Sequence, residues 1–400
     1  MEFGIFKMEH YDIVIVGAGP AGTACALALR DSGLRVALID KSTFPRDKTC
    51  GDAIPGPALK VLRKLLPDTD EIFDQFTEKQ RIQSSSVHLR NIKPIYVNWI
   101  TKAYNSPRLD FDNFLLDLVK KYTETDIYEG EKIYKISQQH HKSGGFKPTA
   151  FAIAIEGKNI RLTCDLIIGC DGANSMVSRS FSVDFQENIK NSFAVRAYYV
   201  NVNCAINDNR FYLLDELPKG YFWIFPVGKN VYNVGLGVLT NQIKGKKIDV
   251  KDAFHDIVNQ NSDIRAVLNG AELLDKVKGF RLPLWSRRQP ISGEQMMLAG
   301  DAAYLVDPLQ GHGIDKAMQS GVLAAEQAVL CFERDDFSAT FMQHYDEKVY
   351  TQIGKELGRN FRLMQWVSGY PRMVKLVARI GGNERVKRLG QRLFYRKKKR

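Results

Sequence analysis

The thirty residues from Tyr11 to Asp40 leave this chain the least freedom. YDIVIV (Tyr11 to Val16) is an unbroken apolar run, as expected of a strand buried on both faces of a parallel sheet. GAGPAGTACALALRDSG follows at once, and then LRVALID, which gives the order strand, glycine-rich turn, helix, strand. Gly17 permits the tight turn, Gly19 lets the backbone approach a pyrophosphate, and Gly22 lets the helix lie close on the strand. The helix then points its positive N-terminus at the phosphates. Asp40 ends the second strand 18 residues after Gly22, in place to accept from a ribose hydroxyl. A dinucleotide site is the expectation, against the plainer one of a glycine turn with no ligand.

Two later segments return to the same sheet. CDLIIGCDGANSMVSR (Cys164 to Arg179) is a buried strand running into Asp171-Gly172. MMLAGDAAYLVDPLQGHGIDKAMQSG (Met296 to Gly321) is a strand, Gly300-Asp301, a loop and a helix. Asp301 falls at a strand's carboxyl end, where it would bind a ligand hydroxyl or cap a helix; Gly311 and Gly313 open a helix whose amides would face an anionic ring.

Composition removes several classes. With 44% hydrophobic and 26% charged residues the chain is neither disordered, collagen-like nor a coiled coil. Its six cysteines form no CxxC pair, so no zinc site, no metal and no disulfide scaffold is expected, and a reducing compartment is. No basic, apolar leader and no spanning run of roughly 18 apolar residues is seen. The net charge of +12 is concentrated at the end: Pro371 to Arg400 holds 12 Lys/Arg against Glu384, a surplus of 11 that leaves +1 for the rest. That distribution argues against a nucleic-acid surface and raises an anionic membrane surface as the tail's partner, beside a merely solvated tail.

Taken together, GAGPAG with Asp40, CDGANS and AGDAAYLVDPLQGHGI resemble the aromatic-hydroxylase-type FAD proteins across most of residues 10 to 330. Two motifs narrow this. The stretch from Lys41 to Asp52 resembles the KxxFPRxKxCGD segment of the geranylgeranyl reductase family at every specified position, and GYFWIFP matches that family's YxWxFP motif. The resemblance implies that Gly17, Gly19, Ala21 and Gly22 form the pyrophosphate turn and that Asp40 holds the adenosine ribose. It places Asp301, Gly311, Gly313 and Ile314 at the flavin end, Arg46 on the cofactor, and Cys50 and Gly51 beside the isoalloxazine. Arg108, with Phe111 and Asp112, resembles the family's RxxFD, whose Arg reaches the cofactor; Asp112 fits a helix cap equally well. His312 departs from the pattern, standing where the family usually has Glu.

A flavin alkene reductase delivers hydride to one carbon and a proton to the other, away from bulk water, and so needs a deep apolar pocket. Tyr221, Trp223 and Phe225, with Pro226, would line one wall, because alternate strand residues share a face; the plainer reading is a sandwich-core strand. Cys50 would supply a proton, gate the redox state or only pack on the ring. His312 would act as an acid near neutral pH or simply face solvent. Catalytic candidates are therefore Cys50 and His312, and Tyr221, Trp223, Phe225 and Pro226 are the substrate-binding ones.

The fold expected is α/β. A Rossmann-type FAD-binding domain spans 1–77, 108–180 and 281–335. An inserted antiparallel β-sheet substrate domain spans 78–107 and 181–280 and roofs the flavin. A helical C-terminal region with a basic tail spans 336–400, where Phe361, Met364, Val367, Met373, Val374 and Val377 recur at helical spacing, as core, as a tunnel wall or against a bilayer.

The function implied is FAD-dependent reduction of C=C bonds in a hydrophobic isoprenoid or lipid substrate. The flavin would be non-covalent, with NAD(P)H or another reductant binding transiently. Two alternatives stand: a flavin-dependent aromatic monooxygenase or halogenase, for which GYFWIFP partly fits GWxWxIP and Lys60 is the candidate lysine, and a non-catalytic flavin-binding membrane-docking protein. A cytoplasmic protein, docking peripherally on the inner membrane face through its tail, is expected.

Overall fold

The computed structural model describes residues 9–140, 151–181, 192–217, 220–239 and 249–369. Two large sheets organise them. The first has the strand Glu9–Val16 at its centre, with Val36–Asp40 parallel on one side and Arg161–Gly169 parallel on the other; Asp126–Glu129 and Met296–Leu298 extend it outward. All three segments read as ligand-binding strands thus lie side by side, each ending in its turn at the same sheet edge. Tyr11, Ile13, Val14 and Ile15 are wholly buried, as a strand covered on both faces requires.

The helix Pro20–Leu29 begins at Gly19 and is buried at nine of its ten residues. It lies against the helix Ile314–Arg334 through small residues: a Cβ on Gly321 would meet the Ala21 carbonyl at 2.1 Å. That close crossing brings the N-termini of both helices to one end of the sheet.

The second sheet has nine strands. Its spine runs Ser192–Val200, Val231–Leu239, Gly220–Gly228, Asp208–Leu213, Gln80–Leu89 and Ile92–Asn105. One pairing departs from the antiparallel sheet expected. Asp208–Leu213 runs parallel to Gln80–Leu89, because the two come from separate insertions and no tight turn joins them. Ala53–Ile54, directly after Asp52, adds to the same sheet by pairing with Tyr104 and Asn105. The segment Lys41–Asp52 therefore spans the seam between the sheets.

One face of the second sheet is covered by the helices Val250–Gln260 and Ser262–Leu268, where Phe222 stacks on Phe254. The other face carries Tyr221, Trp223 and Phe225, clustered with Phe211. The period-2 alternation of GYFWIFP thus splits core from seam.

After the long helix the chain turns back as Ala339–Val349 and Lys355–Gly369. Phe361 meets the Trp285 ring edge-on and Met364 is buried with Leu284 and Val306, so this part of the apolar stripe faces protein. Met373, Val374, Val377 and the basic tail lie outside the described residues. Among the described residues, no helix is long and apolar enough to cross a membrane.

Candidate functional site

The glycine turn is built as its sequence requires. Gly17 has φ +104°, and a Cβ there would lie 2.4 Å from the Cys170 carbonyl oxygen. At Gly22 a Cβ would lie 1.9 Å from the Gly17 carbonyl, so neither position admits a side chain. Gly19 differs: the only atom near its Cβ direction is Arg46 Nη2 at 3.6 Å, which leaves the turn open on that side. Asp40 closes the next strand with its carboxylate accepting from the Ala18 and Ser42 amides, each at 2.9 Å.

Arg46 and Arg108 converge on Asp112, which is fully buried. Arg108 donates to both of its oxygens at 2.6 Å, and Arg46 Nη1 donates at 2.7 Å. Burial pushes the Asp112 carboxyl up, but the two guanidiniums outweigh it and hold it below the ordinary range. Asp112 is therefore no helix cap: Pro107 stands at that position and supplies no capping side chain.

Lys48 Nζ reaches 2.8 Å from Asp301 Oδ2 and ties the Lys41–Asp52 segment to the turn Gly300–Ala303. Gly313 opens the helix Ile314–Arg334, with no capping side chain, and its Cβ position would lie 3.6 Å from Asp301 Oδ1. Ile314 is buried behind it. Gly311 has φ +72° and faces Tyr221, whose hydroxyl donates to the Gln310 carbonyl at 2.8 Å. Ala21 is buried in the first helix.

Cys50 and Gly51 meet the aromatic wall. A Cβ on Gly51 would stand 3.3 Å from the Phe225 ring and 3.8 Å from Trp223 Nε1. The Cys50 thiol is free and half-buried. Pro226 is buried at an irregularity of its strand, with its carbonyl accepting from Asn105. His312 is neither a freely solvated loop residue nor unpartnered. Its Nδ1 lies 3.0 Å from Asp315 Oδ1 with the side chain 21% exposed. Burial lowers the imidazole's pKa, but the buried Asp315 carboxylate more than reverses this, and the net shift is upward. Asp315 in turn is held at about 2, its own burial penalty outweighed by His312 and Lys316.

One group escaped sequence reasoning. Asp52 is fully buried with φ +63°, and its Oδ2 accepts from Tyr198 Oη at 2.6 Å and Asn233 Nδ2 at 2.7 Å. Its Oδ1 has no hydrogen-bond partner, and burial pushes the carboxyl up to about 6. Asn233 also donates to the Cys50 carbonyl and accepts from Trp223 Nε1. The available signal was a lone polar residue in the buried strand VYNVGLGVL.

Two helices begin at glycines, with no side chain occupying their first amides, and aim at one strand edge. Beside them lie an open turn at Gly19, a fixed acid at Asp40, and an aromatic wall. This donor set fits FAD: anion-binding amides for a pyrophosphate, an acceptor for a ribose, an apolar face for a ring. The fold and site define a Rossmann-type FAD-dependent oxidoreductase. The family model described as FAD binding domain matches residues 10–348, and the chain belongs to that family.

The resemblance to geranylgeranyl reductases is also borne out. The chain is 27% identical over 368 residues to the digeranylgeranylglycerophospholipid reductase of Thermoplasma acidophilum, covering 88% of this chain and 87% of that protein. Its fold matches a geranylgeranyl bacteriochlorophyll reductase-like structure from Thermoplasma acidophilum with TM-score 0.77 at 23% identity, over 90% of this chain and 88% of the other. It also matches a flavin-dependent brominase with TM-score 0.73 at 19% identity, over 96% and 93%.

Proposed function

We propose that this protein hydrogenates isolated C=C bonds of a hydrophobic, isoprenoid-bearing lipid. The observation that carries the reading is the nearness of Phe225 and Trp223 to the Cβ direction of Gly51, 3.3 and 3.8 Å away, which sets the Cys50-Gly51-Asp52 turn against an apolar aromatic wall. Together, the Lys41–Asp52 segment and GYFWIFP match the motifs of the reductases that the chain resembles, and neither is demanded by FAD binding alone.

FAD bound here would take hydride from NAD(P)H or another reductant and supply it to one alkene carbon. Gly17, Gly19, Ala21 and Gly22 would cradle the pyrophosphate, and Asp40 the adenosine ribose. Arg46 and Arg108, fixed by Asp112, would give the cofactor's anionic middle its positive surroundings. Asp301, Gly311, Gly313 and Ile314 would position the flavin end. Tyr221, Trp223, Phe225 and Pro226 would exclude water and hold the chain. Cys50, half-buried in that turn, is the candidate proton donor for the second alkene carbon, and His312 the candidate for returning protons to the site. Docking of the basic tail on an anionic leaflet is the matching proposal for how a protein with this substrate meets its membrane.

The halogenase reading is weaker on this chain's own residues. Tyr221 stands where that motif begins with Trp, and Lys60 is exposed on the outer side of the helix Gly56–Leu65, whose inner side is buried by Leu59 and Leu62. The experiment that tests the proposed role is Cys50→Ala. FAD retention is expected to be unchanged and anaerobic turnover slowed at least about a hundredfold, the lower end of the usual contribution of a positioned proton donor. Normal turnover would remove Cys50 from the chemistry.

A further inference from the structure

The aromatic wall does not stop at Trp223. Cross-strand partners in a sheet project on the same face, so register alone traces what lies beside Trp223. Trp223 pairs with Phe211, Phe211 with Val87, and Val87 with Ile95, one apolar row across four strands. Exposure rises along it, from 5% at Trp223 through half-buried Phe211, Val87 and Ile95. The row ends on the strand Ile92–Asn105, where Val97 and Trp99 are 53% and 43% exposed, with Trp99 Nε1 donating to Ser85.

That outer strand is unusual among the described residues. Only its last two residues have an outer partner, the short strand Ala53–Ile54. Every residue from Tyr96 to Lys102 is exposed, including Tyr96 at 55% and Ile100 at 73%. Between the pairs Ile82–Ala103 and Ser84–Asn98 the register slips, so the outer strand bulges over residues 99–102. Soluble proteins blunt such edges. This one presents Tyr, Val, Trp and Ile to solvent.

Charge selects the occupant. From Lys79 to Arg108 there are six Lys/Arg and no Asp or Glu, and Arg81, Arg90, Lys93 and Lys102 are exposed. The acid whose charge Lys102 feels, Asp70, is already held by a two-oxygen pair with Arg63. A second copy pairing edge to edge would set these cations against their own kind, which is unfavourable. An anionic lipid leaflet satisfies both features: Trp and Tyr suit the headgroup level, and each cation near it adds attraction.

We propose that the hairpin Gln80–Asn105 docks on an anionic lipid surface and that its apolar row is the path by which a lipid chain reaches the pocket, a proposal that rests on the lipid-substrate reading above. The hairpin acts in addition to the basic tail.

The test uses the full-length, FAD-loaded protein, floated with phosphatidylcholine vesicles with or without phosphatidylglycerol. Ile100→Glu changes a residue outside the pocket. It is expected to lower flotation with anionic vesicles about tenfold while leaving turnover of a detergent-dispersed polyprenyl substrate unchanged and slowing turnover of the same substrate in vesicles. A control replacing Lys397, Lys398 and Lys399 by Gln separates the tail's share. Wild-type flotation of Ile100→Glu would overturn the proposal, with the tail alone as anchor. So would an Ile100→Glu protein that instead loses a dimer in sedimentation, since the edge would then belong to a second copy. Lost flotation in a protein that reduces no polyprenyl substrate in either form would leave the docking surface standing and overturn the reading of function.

Discussion

Asn233 and Asp52 are joined by a 2.7 Å hydrogen bond across the seam between the two sheets. The same Nδ2 lies 2.7 Å from the Cys50 carbonyl, and Asn233 Oδ1 accepts from Trp223 Nε1 at 2.8 Å. One side chain therefore couples the turn that holds the thiol to the largest ring of the aromatic wall. Neither can shift alone without stranding a buried polar group.

Asn233→Leu should remove all three bonds at once. Leaving Trp223 Nε1 and the Cys50 carbonyl unpaired, with Asp52 kept by Tyr198 alone, costs roughly 2 to 4 kcal/mol, read as a lower midpoint in urea unfolding. The Trp223 ring loses its anchor, so its fluorescence should shift as well. An unchanged midpoint would mean that these bonds are replaced by others.

Asp52 sets a pH dependence whose sign is fixed by its burial. Its carboxyl rises from an ordinary 3.8 to about 6 on folding, so folding favours the protonated form. The stability this contributes is complete below about pH 4 and is lost as pH rises through 6. Asp52→Asn tolerates the positive φ and cannot titrate. In urea unfolding, the wild type should lose stability relative to Asp52→Asn between pH 4 and 6, and the difference should be level above that. A difference that grows in favour of the wild type over that range would reverse the assignment.

Asp112 behaves in the opposite sense, because Arg108 and Arg46 hold its carboxyl low. Its stabilisation is present above the ordinary carboxylate range and is lost as pH falls through its lowered value. Asp112→Asn leaves the buried Arg108 guanidinium without its paired carboxylate, and leaves Arg46 with Asp40 alone, 3.9 Å away. It should cost about 3 to 5 kcal/mol, and weaken FAD retention on gel filtration. Full FAD occupancy in a stably folded variant would show that the triad serves the fold alone.

Gly235→Ala probes the wall from the neighbouring strand, where Gly235 pairs with Trp223. A Cβ there would lie 2.1 Å from Trp223 Cζ2 and 2.6 Å from the Val195 carbonyl oxygen, and only the ring can give way. Overpacking of this kind costs about 1 to 3 kcal/mol. Long-chain substrates should lose more turnover than short ones as the ring is displaced. Equal losses on both would indicate a general disturbance of the sheet.

Local patterns carried the parallel sheet, its glycine turn and the alternation of Tyr221, Trp223 and Phe225, because each follows from strand period or from a φ that only glycine takes easily. What they could not carry was partnership between distant segments. Asp52 with Asn233, and Arg46 with Asp112, are 181 and 66 positions apart. Nothing in a single sequence marks such pairs. The parallel junction of Asp208–Leu213 with Gln80–Leu89 was hidden for the same reason, since hydrophobic alternation is identical in parallel and antiparallel pairing here. His312 was legible as an anomaly and not as a pair, although Asp315 lies one turn away on the helix.

Anaerobic reduction of the purified yellow protein, followed by a polyprenyl lipid mixture, tests the central claim most directly. Flavin reoxidation without oxygen, with products heavier by two mass units for each bond reduced, is the expected result. If the flavin stays reduced until air is admitted, and the products then gain oxygen or halogen, the fold is as described and the reaction is not.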